Sequence, residues 1–250
     1  PPRPPVNLPL TGNLKLPLLL GPRLGTGSSG LIFEAQIDPD GTSPCLLSTL
    51  PPLAAKVSYR GRRAASAHEA YYYDTLQPLQ GISIARFYGH FLAELPSDIS
   101  LLYSPEGYED DPVDSDIEEI AETSDSVSIL VMERLGDLLP VGEPLSDSLK
   151  QDAYDIYDDL AHMHIWPRDV RYANILSAPP SVPGLPSVIC PIHNRAHTWR
   201  VVDFEHAVET NVSLEAHAMW AKGYLLNILI YLPRGYWIDP EDCGLYIDFT

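Results

Sequence analysis

His164-Ile165-Trp166-Pro167-Arg168-Asp169-Val170-Arg171-Tyr172-Ala173-Asn174-Ile175-Leu176 carries the decisive spacing of this 250-residue chain. An Asp, a basic residue two positions on, an Asn at the fifth and an apolar pair directly after are what a phosphoryl-transfer site asks of one tight loop. The Asp accepts or orients a hydroxyl proton, and the Asn carbonyl oxygen helps hold a hard cation against phosphates. Such a pair alone is weak evidence, so its meaning depends on the other positions that this chemistry requires.

Downstream, Arg200-Val201-Val202-Asp203-Phe204-Glu205 sets a second acidic group after a short apolar run, and Ile175-Leu176 and Val201-Val202 are able to pair as short strands. Upstream, Leu24-Gly25-Thr26-Gly27-Ser28-Ser29-Gly30-Leu31-Ile32-Phe33 spaces its glycines so that backbone amides can approach phosphates closely. An ordinary hairpin turn has the same composition, and a helix opening after Gly30 would signal a dinucleotide fold instead. The alternation of Phe33-Glu34-Ala35-Gln36-Ile37 predicts a strand, which favours a hairpin. Leu53-Ala54-Ala55-Lys56-Val57 predicts another. The chain has lysines only at 15, 56, 150 and 222, so a lysine within an apolar strand is a candidate functional group. Residues 62–76 have helical composition, and Glu69 is the one glutamate between Glu34 and Glu94. Glu133-Arg134-Leu135-Gly136 follows the predicted strand 127–132 directly, as a hinge would.

Taken in order, these motifs resemble those of the protein-kinase-like superfamily over residues 20–206. Pro167-Arg168-Asp169 to Asn174 resembles its catalytic loop, and Asp203-Phe204-Glu205 its metal-binding tripeptide. The resemblance implies an α+β, two-lobed fold. A small antiparallel-sheet N-lobe would cover 18–133, a reduced, mainly helical C-lobe 134–250, and a proline-rich leader 1–17. It implies ATP and Mg2+ as cofactors. Amides at Gly25, Gly27, Ser28 and Gly30 would cover the phosphates, and Lys56, held by Glu69, would grip the non-transferred ones. Backbone near Glu133 and Leu135 would meet the adenine edge, and Asn174 and Asp203 would hold magnesium. Asp169 would orient the acceptor hydroxyl, and Arg171 would stand beside the transferred group, where protein kinases commonly place a lysine.

Two positions depart from the protein-kinase pattern. Pro167 stands where a histidine is usual, and Glu205 replaces the glycine after Asp-Phe. An acidic third residue is similar to aminoglycoside and choline kinases, and no Ala-Pro-Glu tripeptide closes a peptide-docking segment. The expected activity is therefore a divergent protein kinase, with a small-molecule kinase or an inactive pseudokinase scaffold as alternatives.

Composition narrows the partners. A formal net charge of −18 argues against nucleic acid or an anionic membrane as partner and suits a basic peptide or cationic small molecule as hydroxyl acceptor. The three cysteines, Cys45, Cys190 and Cys243, are too few and too dispersed for a disulfide framework, which points to a cytoplasmic, reducing setting. The first residue is Pro, and the expectation is a monomeric domain of a longer polypeptide. Between 104 and 126 stand ten carboxylates and no basic residue, which predicts a solvated acidic insertion.

The remaining elements are read from periodicity. Ser146–His164 predicts the clearest helix, with Ser146 as N-cap and Leu149, Ala153, Ile156, Leu160 and Met163 as one buried stripe. Ile82–Phe91 predicts a strand, residues 38–52 an expanded loop, and Leu214–Leu232 a largely buried helix. Within the proline-rich segment 177–199, Cys190-x2-His193-x3-His197 offers three zinc-type ligands, but no fourth stands at a matching spacing, so it is read as part of an enlarged hairpin loop.

Overall fold

The computed structural model describes residues 16–38, 51–94, 126–180 and 186–235. The leader up to residue 15, most of the expanded loop, the acidic insertion up to 125, and Cys45 and Cys243 lie outside the described residues. Contacts divide the chain into two units, Pro1–Asp74 with Phe87–Arg134 and Thr75–Arg86 with Leu135–Thr250. Among the described residues, no helix is long and apolar enough to cross a membrane.

The first unit is a five-stranded antiparallel sheet in the order β1-β2-β3-β5-β4 with one helix. Its strands are β1 (Leu18–Thr26), β2 (Gly30–Ile37), β3 (Leu53–Ser58), β4 (Phe87–Glu94) and β5 (Ser126–Glu133). β3 is central and buried along its whole length, so its small residues are those that fit between two packed faces. Ala35, Leu53, Ala55 and Val131 form one core cluster, with Leu18, Ile37, Phe91 and Ile129 packed against it. Edge strand β1 is mostly exposed, and its register with β2 shifts around Gly21-Pro22, where proline removes a ladder donor. Helix α1 (Arg63–Thr75) is held by Tyr73, whose ring stacks on Phe87 at 5.0 Å. A strand after Gly30, rather than a helix, removes the dinucleotide reading.

The expected strand Ile82–Phe91 is shorter than its alternation suggested, since β4 begins at Phe87. Ile82, Ile84 and Ala85 are buried in the second unit, where Ile84 bridges to Val201 and the Val201 amide donates to the Ser83 carbonyl at 2.8 Å. A buried turn satisfies the same apolar positions as a strand would.

In the second unit, α2 (Asp147–His162) begins where the Ser146 hydroxyl accepts from the Leu149 amide at 3.2 Å and ends before His164, a left-handed residue at φ +56°. Ala153, Ile156 and Leu160 are buried as the periodicity requires. A second face is buried too, and it is acidic: Asp152, Asp155 and Asp159. Arg195 Nη2 lies 2.8 Å from Asp152 and 2.7 Å from Asp155, and His197 Nδ1 lies 2.6 Å from Asp152. Burial alone would lower the pKa of His197, but the hydrogen bonds to Asp152 and Asp159 push it up to about 10. Two short antiparallel pairs complete the unit: β6 (Ile165–Trp166) with β9 (Val208–Glu209), and β7 (Ile175–Ser177) with β8 (Trp199–Val201).

Helix α3 (Leu214–Tyr231) packs on α2 but is not largely buried. Met219, Leu226 and Ile230 are exposed, because nothing among the described residues covers that side. Its inner face carries His217 against Trp166, with ring centroids 5.6 Å apart. Burial lowers the pKa of His217, the His164 charge adds to this, and the Ala161 carbonyl opposes it. The unfolded chain therefore binds this proton more readily than the folded one. Stability from this group is present above about pH 6.5 and falls by up to about 1.4 kcal/mol per pH unit below it. Urea unfolding of wild type and His217→Phe between about pH 5 and 8 checks this, and the variant should lose that part of the pH dependence.

Candidate functional site

Each unit carries its own set of polar residues. In the first, the turn between β1 and β2 is closed by a hydrogen bond from the Gly27 amide to the Gly30 carbonyl at 2.8 Å. Gly30 has no room for a side chain: a Cβ there would stand 2.3 Å from the Val57 carbonyl oxygen. Gly27 differs, since its Cβ would meet Lys56 Cε at 4.0 Å, so the absence of a side chain leaves space beside the lysine. Gly25 makes only an ordinary contact with Ile32, and Ser28 is exposed at the tip. None of the three glycines has a positive φ, so close approach rather than left-handed backbone explains Gly30.

Lys56 lies in the middle of β3, opposite Ile32 of β2 and Leu130 of β5. Its Nζ donates to Glu69 Oε2 of α1 at 2.7 Å, and both side chains are at most 5% exposed. A buried ammonium survives only with a partner of this kind. Glu133 ends β5 with its side chain buried, and Leu135, half-buried, opens the second unit.

In the second unit, the β7–β8 register sets Ile175 opposite Val201, and the Val202 amide donates to the Asn174 carbonyl at 3.0 Å. Asn174 and Asp203 therefore leave the same end of the hairpin. Asn174 Nδ2 donates to the Asp169 backbone carbonyl and to Asp169 Oδ2, both at 3.1 Å. That orientation commits the amide nitrogen and keeps the side-chain oxygen as an acceptor for other partners. Arg171 Nη2 stands 2.6 Å from Asp169 Oδ2 and 3.9 Å from Asp203 Oδ2. Burial raises the pKa of Asp169; the Arg171 charge opposes this, and the Asp203 charge adds to it. Arg168 and Asp203 both adopt left-handed backbone, at φ +62° and +68°, a conformation costly for residues with a Cβ and concentrated at functional loops. Fully buried Phe204 anchors the chain directly after Asp203.

The sequence reading passed over His206. It lies 3.2 Å from Glu205, whose hydrogen bond raises its pKa against an opposing effect of burial, and the Asp169 and Asp203 charges raise it further. Its place directly after Asp203-Phe204-Glu205 was the only available sign. The buried acidic face of α2 was also missed, although Asp152, Asp155 and Asp159 follow helical spacing.

No family model matches the chain, and no curated protein matches it. Among solved structures, it is similar to the crystal structure of the PF14_0431 kinase domain, with 15% identity and a TM-score of 0.52, over 94% of this chain and 70% of that one. The fold is protein-kinase-like. At that identity the likeness concerns architecture, and the chemistry rests on the residues of this chain.

The donor atoms of this chain define what each set could hold. Asp203 and the Asn174 side-chain oxygen are hard oxygen donors of the kind Mg2+ takes. Lys56 and the side-chain-free Gly27 beside it suit an anionic phosphate. The buried pair gives a direct prediction. Glu69→Ala removes the carboxylate that α1 sets against the buried ammonium and should cost about 3–5 kcal/mol, whereas Lys56→Met with Glu69→Leu should cost much less. Chemical denaturation of both variants measures the difference.

Proposed function

We propose that the protein is an ATP-dependent phosphotransferase that moves the γ-phosphoryl group of ATP to a hydroxyl. The observation that supports this most is the buried Lys56–Glu69 pair beside the side-chain-free position at Gly27. A lysine held in the interior by a helix carboxylate, next to a glycine turn, is an arrangement that phosphate binding explains and core packing does not.

In this reading Lys56 neutralises the non-transferred phosphates, and amides of the turn at Gly25, Gly27, Ser28 and Gly30 cover them. Asn174 and Asp203 hold Mg2+, which when bound neutralises charge on the phosphates. Asp169 orients the acceptor hydroxyl and takes up its proton. Arg171 stabilises the ionised Asp169 and adds positive charge near the transferred group. The backbone at Glu133 and Leu135 would receive the adenine edge. The acceptor is a protein or a small molecule, and the −18 net charge favours a basic one in either class. The proposed setting is intracellular.

One observation favours a second reading, a nucleotide-binding scaffold without turnover. The Arg171 guanidinium already occupies Asp169 Oδ2 at 2.6 Å, so an incoming hydroxyl has to compete for that oxygen.

Thermal-shift titration separates these readings. MgATP should raise the melting temperature, by about 2.7 kcal/mol of added stability at a hundred times the dissociation constant. ATP with a chelator should do less, and Lys56→Met should respond weakly. Absence of any shift with MgATP removes both readings. Asp169→Asn should keep the shift while losing about 10²–10⁴-fold in radiolabelled phosphate transfer, tested on a basic protein and on aminoglycoside and choline acceptors. Binding without transfer by wild type to any acceptor leaves the scaffold.

A further inference from the structure

We infer that Cys190, His193, His197 and Asp159 form a structural site for a divalent metal of the zinc class. The sequence alone offers three ligands; the fold supplies the fourth. Asp159, from the buried acidic face of α2, reaches the Cys190-x2-His193-x3-His197 segment and lies 31 positions before Cys190. Cys190 Sγ is 3.1 Å from Asp159 Oδ1 and 3.5 Å from His193 Nδ1. His193 Nδ1 is 3.1 Å from Asp159 Oδ1, and His197 Nε2 is 3.2 Å from Asp159 Oδ2. All four ligand atoms lie within 4.8 Å of one another. Zinc–sulfur and zinc–nitrogen bonds of about 2.3 and 2.0 Å put tetrahedral edges at about 3.3–3.6 Å, close to the four separations of 3.1, 3.5, 3.1 and 3.2 Å, and the other pairs close from no more than 4.8 Å.

The surroundings support the same assignment. Each histidine turns its other nitrogen toward a carboxylate, as metal-bound imidazoles do to fix tautomer and orientation. His197 Nδ1 lies 2.6 Å from Asp152, which also accepts from the Thr198 amide and hydroxyl. His193 Nε2 lies 3.4 Å from Asp158 and 3.7 Å from Asp155. The His197 ring is buried, and its Nε2 faces Asp159 Oδ2. The backbone at Cys190 forms a tight knuckle: the His193 amide points at Cys190 Sγ at 3.5 Å, the Asn194 amide donates to the Cys190 carbonyl at 2.9 Å, and Asn194 is left-handed at φ +52°.

Charge and burial decide between metal classes and roles. One thiolate, one carboxylate and two neutral imidazoles around a divalent ion give a locally neutral set, and loading releases the Cys190 proton and the extra proton that His197 holds between Asp152 and Asp159. The thiolate and imidazoles disfavour magnesium and calcium. Cys190, His197 and Asp159 are almost wholly buried, which leaves no open position for a substrate and indicates a structural role. The ion would fasten the segment before β8 to α2, and β8 leads directly into Asp203. The site does not depend on the nucleotide reading, and its tests do not involve phosphoryl transfer.

Metal analysis of the full chain purified without chelators should find about one zinc per chain. Cobalt replacement should give the intense visible bands of a tetrahedral ion with a thiolate charge-transfer transition. Cys190→Ser and His197→Gln should lose the metal and that transition, while the Cys45→Ser, Cys243→Ser double variant keeps both. Should the Cys190 and His197 variants fail to fold, the cobalt spectrum of the double variant decides, because Cys190 is then the sole thiol. Wild-type protein that holds no zinc after zinc-supplemented refolding, metal retained in Cys190→Ser, or cobalt bound without the thiolate transition would each overturn the assignment.

Discussion

An ammonium and a carboxylate withdrawn from water set the terms for the first unit. Lys56 occupies the central strand, where its cross-strand partners Ile32 and Leu130 are apolar and Ala54, Ala55 and Val57 admit little solvent. Desolvating that charge is unfavourable unless Glu69 is delivered within hydrogen-bond reach, and only a helix docked under the sheet can do so. The stacking of Tyr73 on Phe87 and the contact of its hydroxyl with Met132 sulfur at 3.9 Å fix that helix. A hydrocarbon pair at the same two positions would spare the sheet that desolvation.

The second unit meets the same constraint with more charges. Three carboxylates buried on one helix require cationic or metallic partners, and the segment from Cys190 to Thr198 provides them. Ser83 completes the arrangement by donating to Asp159, and Arg200, wholly buried, donates to the Gly81 carbonyl at 2.9 Å. The loop bearing Asp169 and the turn at Asp203 are built on this base, with strained backbone at Arg168 and Asp203 held in place by buried neighbours such as Phe204.

Much of the architecture was legible in the residues because apolar period and caps are local properties. α2 follows from its stripe and Ser146, and β2 from the alternation after Gly30. Ile82 and Ile84 misled because burial in a turn and burial in a strand leave the same pattern. The Lys56–Glu69 contact was legible because the resemblance named both partners. Which atoms touch elsewhere was not: nothing in the spacing of Asp169 and Arg171 says that the guanidinium sits on the carboxylate. Asp159 was hidden for a related reason, since a partner supplied from another element carries no mark of it in local spacing. The α3 exposure was missed because hydrophobic composition does not say whether a covering element exists.

The partition of the chain has a consequence for how this protein can be inherited or cut. Neither unit is one uninterrupted stretch, because Thr75–Arg86 lies within the first unit's sequence but belongs to the second. A fragment starting at Leu135 would lack Gly81, Ser83 and Ile84, and with them the acceptor for Arg200, the donor to Asp159 and the bridge to Val201. The two halves are thus not interchangeable cassettes. A cut before Leu135 severs bonds inside the second unit, so Thr75–Arg86 and the span from Leu135 have to be kept on one chain.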